Sequence, residues 1–245
     1  MVANINTSIS NVALPSIGSA LDATDTELTG ITDAYQLGIA ATVLYLGAVG
    51  DRYGRKRMLL LGAFLCVPFS LMSAWSPTAV FLIGAQIAVG VSGGMLYPTT
   101  LSMITALWRG KKLTAAIALW TGIGTGASVL GPILGGWLLG NYWWGSVFLI
   151  TVPLAIVVLV LGFVVLPKSA AEHNEPVDHQ GGTLSVIMIS SLVLGIVMLP
   201  QGITITVGVL FAVMLVSGFL FVRRERRAPN PLFDLKMAAI PTFWV

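Results

Sequence analysis

Asp51-Arg52-Tyr53-Gly54-Arg55-Lys56-Arg57 is followed by Met58–Trp108, a run that contains no Asp, Glu, Lys or Arg. That contrast decides the fold class. A membrane-crossing helix needs roughly 20 mostly apolar residues to traverse about 30 Å of hydrocarbon, so the run holds about two spans. Outward from it, Leu113–Pro167 and His179–Val222 are equally free of charge and hold about two spans each. The cations sit between these runs, in Arg109-Gly110-Lys111-Lys112, at Lys168 and in Arg223-Arg224-Glu225-Arg226-Arg227. Each group follows an even-numbered span, so all lie on one side. Basic loops are retained in the cytoplasm, which places the loop after Gly50 there. The first connection on the other side carries acid only, at Asp22, Asp25 and Glu27.

Composition points the same way. The chain is 56% hydrophobic and 9% charged, with a mean hydropathy of +0.90, against roughly 25% charged residues in a soluble domain. The basic residues serve as topology signals, so the net charge of +3 implies no nucleic-acid partner. A single cysteine, Cys66, lies in an apolar run, which gives neither a disulfide framework nor a metal-ligand set. No catalytic Ser/His, Cys/His or paired-carboxylate arrangement falls within a span, so an enzyme is not expected, and no cofactor. The N-terminus shows no basic region followed by a cleavage site.

The pattern predicts an all-α polytopic membrane protein. Residues 1–166 read as a six-helix N-terminal bundle, 167–182 as a cytoplasmic linker, 183–222 as an extra helix pair, and 223–245 as a cytoplasmic loop with the start of a further helix. The expected helices are about Val2–Leu21, Leu28–Gly50, Met58–Trp75, Ala79–Leu107, Leu113–Leu139, a sixth from after Trp144 to Leu166, Thr183–Leu199 and Ile205–Val222. The first is short and polar, as though Met1 were an internal start, and Ala238–Val245 reads as an unfinished span. The chain is therefore expected to lack a C-terminal half. The Arg223–Arg227 cluster is read as a stop signal at a span's cytoplasmic end rather than as a basic patch for a partner.

The Asp51–Arg57 hairpin has a spacing that topology alone does not explain. Gly47 precedes Asp51 by one turn and lets another backbone come close; Arg55 can pair with Asp51, and Gly54 permits a sharp reversal. Gly47–Arg57, with Arg52 and Lys56 in place, resembles the loop signature between the second and third helices of major facilitator superfamily transporters. Asn11-Val12-Ala13-Leu14-Pro15 is similar to the first-helix motif of the drug:proton antiporter branch. Gly122, Gly131-Pro132 and Gly135-Gly136 resemble that branch's antiporter motif in the fifth helix. Phe148–Pro153 resembles the opening of the sixth. Asp178-x-x-Gly181 and Pro231–Leu235 resemble the flanks of the extra helix pair in fourteen-helix members. Thr32-Asp33-Ala34-Tyr35 and Pro98–Ile104 look like the versions found in the quaternary-ammonium and multidrug exporter group.

The resemblance implies a multi-pass protein of the plasma (inner) membrane whose intact form rocks two six-helix halves around a central site, exchanging an inward proton for an outward lipophilic or cationic compound. Asp51 and Arg55 would then help close the cytoplasmic side, and the glycines and Pro132 of the fifth helix would shape the contact with a second half. The bland alternative for these glycines is ordinary helix packing. Proton coupling requires a titratable group facing a cavity, because a lipid-facing charge costs at least about 2.5–3.5 kcal/mol. Asp33 is the acid inside a span and the coupling candidate; hydration near the helix start is the competing reading.

Two departures bear on coupling. Asn6 stands where the family usually has an acid, and Gln86, four residues before Gly90, where it usually has an arginine. Loss of both charges together is self-consistent, since one alone would be an unpaired intramembrane ion. The expectation is that Asn6 and Gln86 hydrogen-bond across the cavity, with ordinary interhelical contacts as the alternative. Tyr35, Tyr97 and Trp120 are candidates for stacking on a lipophilic cation, or equally for interface anchoring. An uncoupled metabolite exporter, and a non-transporting fragment that needs a separate C-terminal half, remain alternatives.

Overall fold

The computed structural model describes residues 2–166, 177–199, 202 and 204–228, and these are helical, with no strand among them. In order, the helices are α1 (Val2–Leu21), α2 (Asp25–Tyr53), α3 (Arg55–Ala74), α4 (Ala79–Leu107), α5 (Lys111–Asn141), α6 (Ser146–Leu149), α7 (Thr151–Val164), α8 (His179–Met198) and α9 (Ile205–Glu225). Most of the expected linker, Pro200 and Gln201 of the expected turn, and the Ala238–Val245 segment lie outside the described residues.

The helix limits follow from local chemistry. α2 opens on a capping box: Thr24 Oγ1 accepts from the Glu27 amide at 3.3 Å while the Glu27 carboxylate accepts from the Thr24 amide at 2.9 Å, satisfying two otherwise orphaned donors. These caps and charged turns carry several helices a few residues beyond the apolar runs, so α2 reaches Tyr53 rather than stopping at Gly50. Only Gly54 separates α2 from α3. Its φ of 111° is a conformation that strains any side-chain-bearing residue. The sixth span is divided into α6 and α7 at Ile150. Pro153, in the first turn of α7, has no amide to give the Leu149 carbonyl, and the hydrogen-bond ladder breaks there.

Small residues decide how the helices approach. α2 and α4 meet where Gly38 faces Gly90: a Cβ on Gly90 would strike the Tyr35 carbonyl oxygen, and one on Gly38 the Ile87 carbonyl oxygen. A Cβ on Gly62 of α3 would lie 2.8 Å from Met95 Cβ of α4, and one on Gly162 of α7 would lie 2.9 Å from Leu60 of α3. Lipid tails are as apolar as leucine, so close van der Waals approach, rather than hydrophobic exclusion from water, holds such helices together. One core gathers Ile5, Ile9, Ala13 and Ile17 of α1 around Leu82 and Phe148. A second joins Tyr35, Cys66, Val89 and Ala155.

α8 and α9 pack on each other and, through α8, on α2. Gly182 leaves room for the Tyr45 ring, whose hydroxyl lies 2.7 Å from His179 Nδ1. Asp178 caps α8, accepting from the Gln180 and Gly181 amides at 3.1 Å each. It also accepts from Arg224 Nε of α9 at 2.8 Å. Burial pushes the Asp178 carboxyl up, but the Arg224 and α8 amide hydrogen bonds outweigh it and hold the group below its ordinary value. A depressed carboxylate stabilises fully above its unfolded pKa of about 4 and loses that contribution as pH falls through the folded value. Asp178→Ala is therefore expected to cost about 1.5 kcal/mol near neutral pH, mostly as a lost cap, and Asp178→Asn less. Thermal unfolding in detergent at pH 7 should separate the variants from the parent, with the gap narrowing below about pH 4. A gap independent of pH would contradict this account.

Among the described residues, six helical stretches are long and apolar enough to cross a membrane: α3, α4, α5, Ser146–Val164, α8 and α9. The sequence reading takes α1 and α2 as spans too, but neither is among these. Both carry polar side chains that a bilayer-facing helix could not hold cheaply, and several of these line the open-sided cavity described next. The protein is a multi-pass, all-α membrane protein.

Candidate functional site

α1, α2, α4 and α5 form an open-sided cavity of about 530 Å³ lined by Thr7, Ser8, Tyr35, Gln36, Tyr97 and Ser128, with Ile39 and Ala40. Thr7 and Ser8 lie in the polar opening of α1, Gln36 and Ser128 in mostly apolar helices, and each is tolerated because the cavity, not lipid, receives it. A second, more apolar chamber of about 240 Å³ has Cys66, Val89, Trp120 and Val158 among its walls. Tyr35 and Tyr97 line both spaces. Tyr97 meets Trp120 edge-on at 5.3 Å between ring centroids. The structure thus brings together the three aromatic residues singled out from sequence.

It separates the two amides. The expected Asn6–Gln86 hydrogen bond is not formed. Asn6 is buried, and both its backbone carbonyl and its Oδ1 accept from Ser10, at 2.8 and 3.4 Å. Gln86 is 0% exposed, and its Nε2 and Oε1 have no hydrogen-bond partner among the described residues. The physical reason is directional: Ser10, one turn along α1, reaches Asn6 first, while Gln86 shares the α4 face of Gly90, which is pressed against α2.

Asp33 is partly buried on α2 and is not among the residues lining either space. It precedes Gln36 by three residues and Ala40 by seven, so it shares a helix face with these two lining residues. Sequence reasoning missed Thr7, Ser8, Gln36 and Ser128. Their signal was available, because a hydroxyl or amide within an apolar span needs a polar neighbour or a cavity.

At the basic end of the bundle, Asp51 Oδ1 accepts from Arg55 Nε at 2.8 Å and from Ser102 Oγ at 3.0 Å, while Arg55 Nη1 donates to the Ser102 carbonyl at 3.3 Å. This set ties the end of α2 and the start of α3 to the end of α4. Lys56 donates to the Phe163 and Leu166 carbonyls at the end of α7. Gly47 faces Pro98, where an added Cβ would sit 3.2 Å from the ring. Arg52, beside Asp51, is half-buried.

The five residues of the fifth-helix motif divide by direction. Gly131 and Gly135 face α1: a Cβ on Gly131 would lie 2.7 Å from Ser8 Cβ, and one on Gly135 would lie 3.0 Å from Ile9. These two are committed within the bundle, which corrects the expectation that the whole set meets a second half. A Cβ on Gly122 or Gly136 would meet nothing within 4 Å. Both lie on the uncovered side of α5, while Pro132 lies inside the helix next to Gly131.

A family profile described as Major Facilitator Superfamily matches residues 1–240. The chain is 36% identical over 241 residues to the multidrug efflux pump LfrA of Mycolicibacterium smegmatis, covering 98% of this chain and 48% of the relative. It is 33% identical over 237 residues to the methyl viologen resistance protein SmvA of Salmonella typhimurium, covering 95% and 48%. With the tetracenomycin C resistance and export protein of Streptomyces glaucescens it shares 30% identity over 242 residues, covering 97% and 45%. The chain thus spans about half the length of these relatives. With helices, cavity and hairpin arranged as described, the chain belongs to the major facilitator superfamily.

Proposed function

We propose that the chain supplies half of an alternating-access exporter of lipophilic or cationic compounds, driven by proton antiport. The observation that carries this reading is the cavity of about 530 Å³ between α1, α2, α4 and α5, whose lining combines Thr7, Ser8, Gln36 and Ser128 with Tyr35 and Tyr97. Such a surface suits a cation with an aromatic body: the ring faces attract positive charge, and the hydroxyls and Gln36 replace part of its hydration. The relatives named for multidrug efflux and methyl viologen resistance support the substrate class. A second helical half would complete the cavity and cover the exposed Gly122 and Gly136 side of α5 in the intact molecule. The basic end carrying Asp51, Arg55 and Lys56 faces the cytoplasm of a plasma-membrane protein, by the charge bias of its loops.

Asp33 is the proton carrier in this proposal. It is the acid on the cavity-lining face of α2, and Asn6 and Gln86 cannot titrate. Asp33→Asn is expected to abolish uptake of a lipophilic cation such as methyl viologen into acid-loaded everted vesicles containing the intact transporter, while counterflow of the same compound persists. Unaltered uptake driven by the acid interior would rule Asp33 out. Loss of the acid dependence in the unmodified transporter would instead favour the uncoupled exporter that the two neutral amides suggest.

A further inference from the structure

The end of the α8–α9 pair holds a groove that the transport cycle does not use. Its volume is about 440 Å³, and it is lined by Gln180 and Leu184 of α8 and by Leu220, Arg223, Arg224 and Arg227 at the end of α9. Two of its three guanidinium groups have no carboxylate partner among the described residues. Arg224 is taken by Asp178, whereas Arg223 and Arg227 form no ion pair there. Of the nearby acids, Asp178 is matched by Arg224. Glu225 is buried and turned inward, its Oε1 3.0 Å from where a Gly181 Cβ would be. Arg223 in the last turn of α9 and Arg227 just past its end both line the groove.

From Arg223 one face of α9 continues into the membrane. Leu220, Val216, Val213 and Val209 lie on it at intervals of three and four residues, and all four are exposed. At about 1.5 Å rise per residue the stripe runs roughly 16 Å from the arginine end, close to one leaflet of a hydrocarbon core about 30 Å thick. A soluble anion would have no use for such a stripe. A basic mouth joined to an apolar wall one leaflet deep matches a molecule with an anionic head and long acyl chains.

We propose that this groove binds an anionic phospholipid, its phosphate held by Arg223 and Arg227 and an acyl chain lying along Val209–Leu220. Two guanidinium groups can each give paired N–H donors to phosphate oxygens, a geometry that an ammonium cannot match. A zwitterionic lipid would bring a choline cation against the same arginines and bind more weakly. The site would fasten the extra helix pair, which reaches the rest of the bundle mainly through α2, to the bilayer surface.

The test is to purify the protein from membranes and count retained phosphatidylglycerol and phosphatidylcholine of matched chain length by native mass spectrometry, with thermal stability followed as each lipid is added. Phosphatidylglycerol is expected to be retained and to stabilise, phosphatidylcholine much less. Arg223→Gln/Arg227→Gln should weaken phosphatidylglycerol binding by about 25-fold, roughly fivefold per charge removed. Arg223→Lys/Arg227→Lys should fall between that variant and the parent. Val216→Asn, which leaves both charges in place, should also weaken the lipid. Equal retention of phosphatidylglycerol by the Gln variant would overturn the proposal. So would stabilisation by millimolar inorganic phosphate equal to that by lipid, or insensitivity to Val216→Asn, since either would make the groove a site for a free anion.

Discussion

Replacing Gly90 with alanine should destabilise the protein by about 3 kcal/mol, and valine there should prevent recovery of folded material from membranes. The reason lies in what the new Cβ meets. At Gly90 its neighbours are the Tyr35 carbonyl oxygen, Gly38 Cα at 2.9 Å and Ile39 N at 3.1 Å; at Gly38 they are the Ile87 carbonyl oxygen and Gly90 Cα at 2.9 Å. Every one of these is backbone, so no rotamer change relieves the contact and the two helices must part. Parting them also spreads Tyr35 and Tyr97, which line the cavity from those same helices. Gly84, on the same helix with nothing within 4 Å of its Cβ position, is the control. Gly84→Ala should be neutral or slightly stabilising, because alanine costs less backbone entropy in a helix than glycine. Size-exclusion profiles and melting temperatures of Gly38→Ala, Gly90→Ala and Gly84→Ala in one detergent decide the matter. If all three melt together, the α2–α4 contact is not as close as described.

Asp51→Ala carries the second large effect, an expected loss of about 2–3 kcal/mol. Asp51 is the acceptor for both Arg55 Nε and Ser102 Oγ, so its removal leaves Arg55, whose side chain is 13% exposed, beside a carbonyl but without that counter-charge. The half-exposed carboxylate keeps the cost below that of a fully buried pair. A double-mutant cycle between Asp51→Ala and Ser102→Ala should return a coupling of about 1 kcal/mol, since the two side chains share one hydrogen bond inside a charged set. In the proposed exporter, Asp51→Asn should reduce efflux about tenfold at equal protein level, the consequence of weakening the Asp51–Arg55–Ser102 set by about 1.4 kcal/mol. Additive single-mutant effects would mean that Asp51 and Ser102 do not act together.

The contrast between Gly131 and Gly136 shows where sequence reading stops. Both belong to one motif, yet Gly131 meets Ser8 and Gly136 meets nothing. Their difference depends on the rotation of α5 about its own axis, and that rotation is set by α1, a helix more than a hundred residues away in the chain. Gln86 is similar. Its pairing with Asn6 made sense as charge bookkeeping, but side-chain direction left both amide atoms unpartnered among the described residues. Thr7, Ser8, Gln36 and Ser128 came to line one cavity only when three helices, α1, α2 and α5, were brought side by side.

Charge-free runs separated by basic turns were enough to read an all-α membrane protein, the helices to within about one turn of their ends apart from the break at Ile150, and the Asp51–Arg55 pair, because the cost of polar groups in hydrocarbon and the reach of one helical turn are local quantities. The division into two cavities, the packing of α5 and the partners of the buried amides were settled by helix contacts in three dimensions. Those contacts depend on whether a glycine faces a backbone or open space, and the order of residues along one helix does not carry that information.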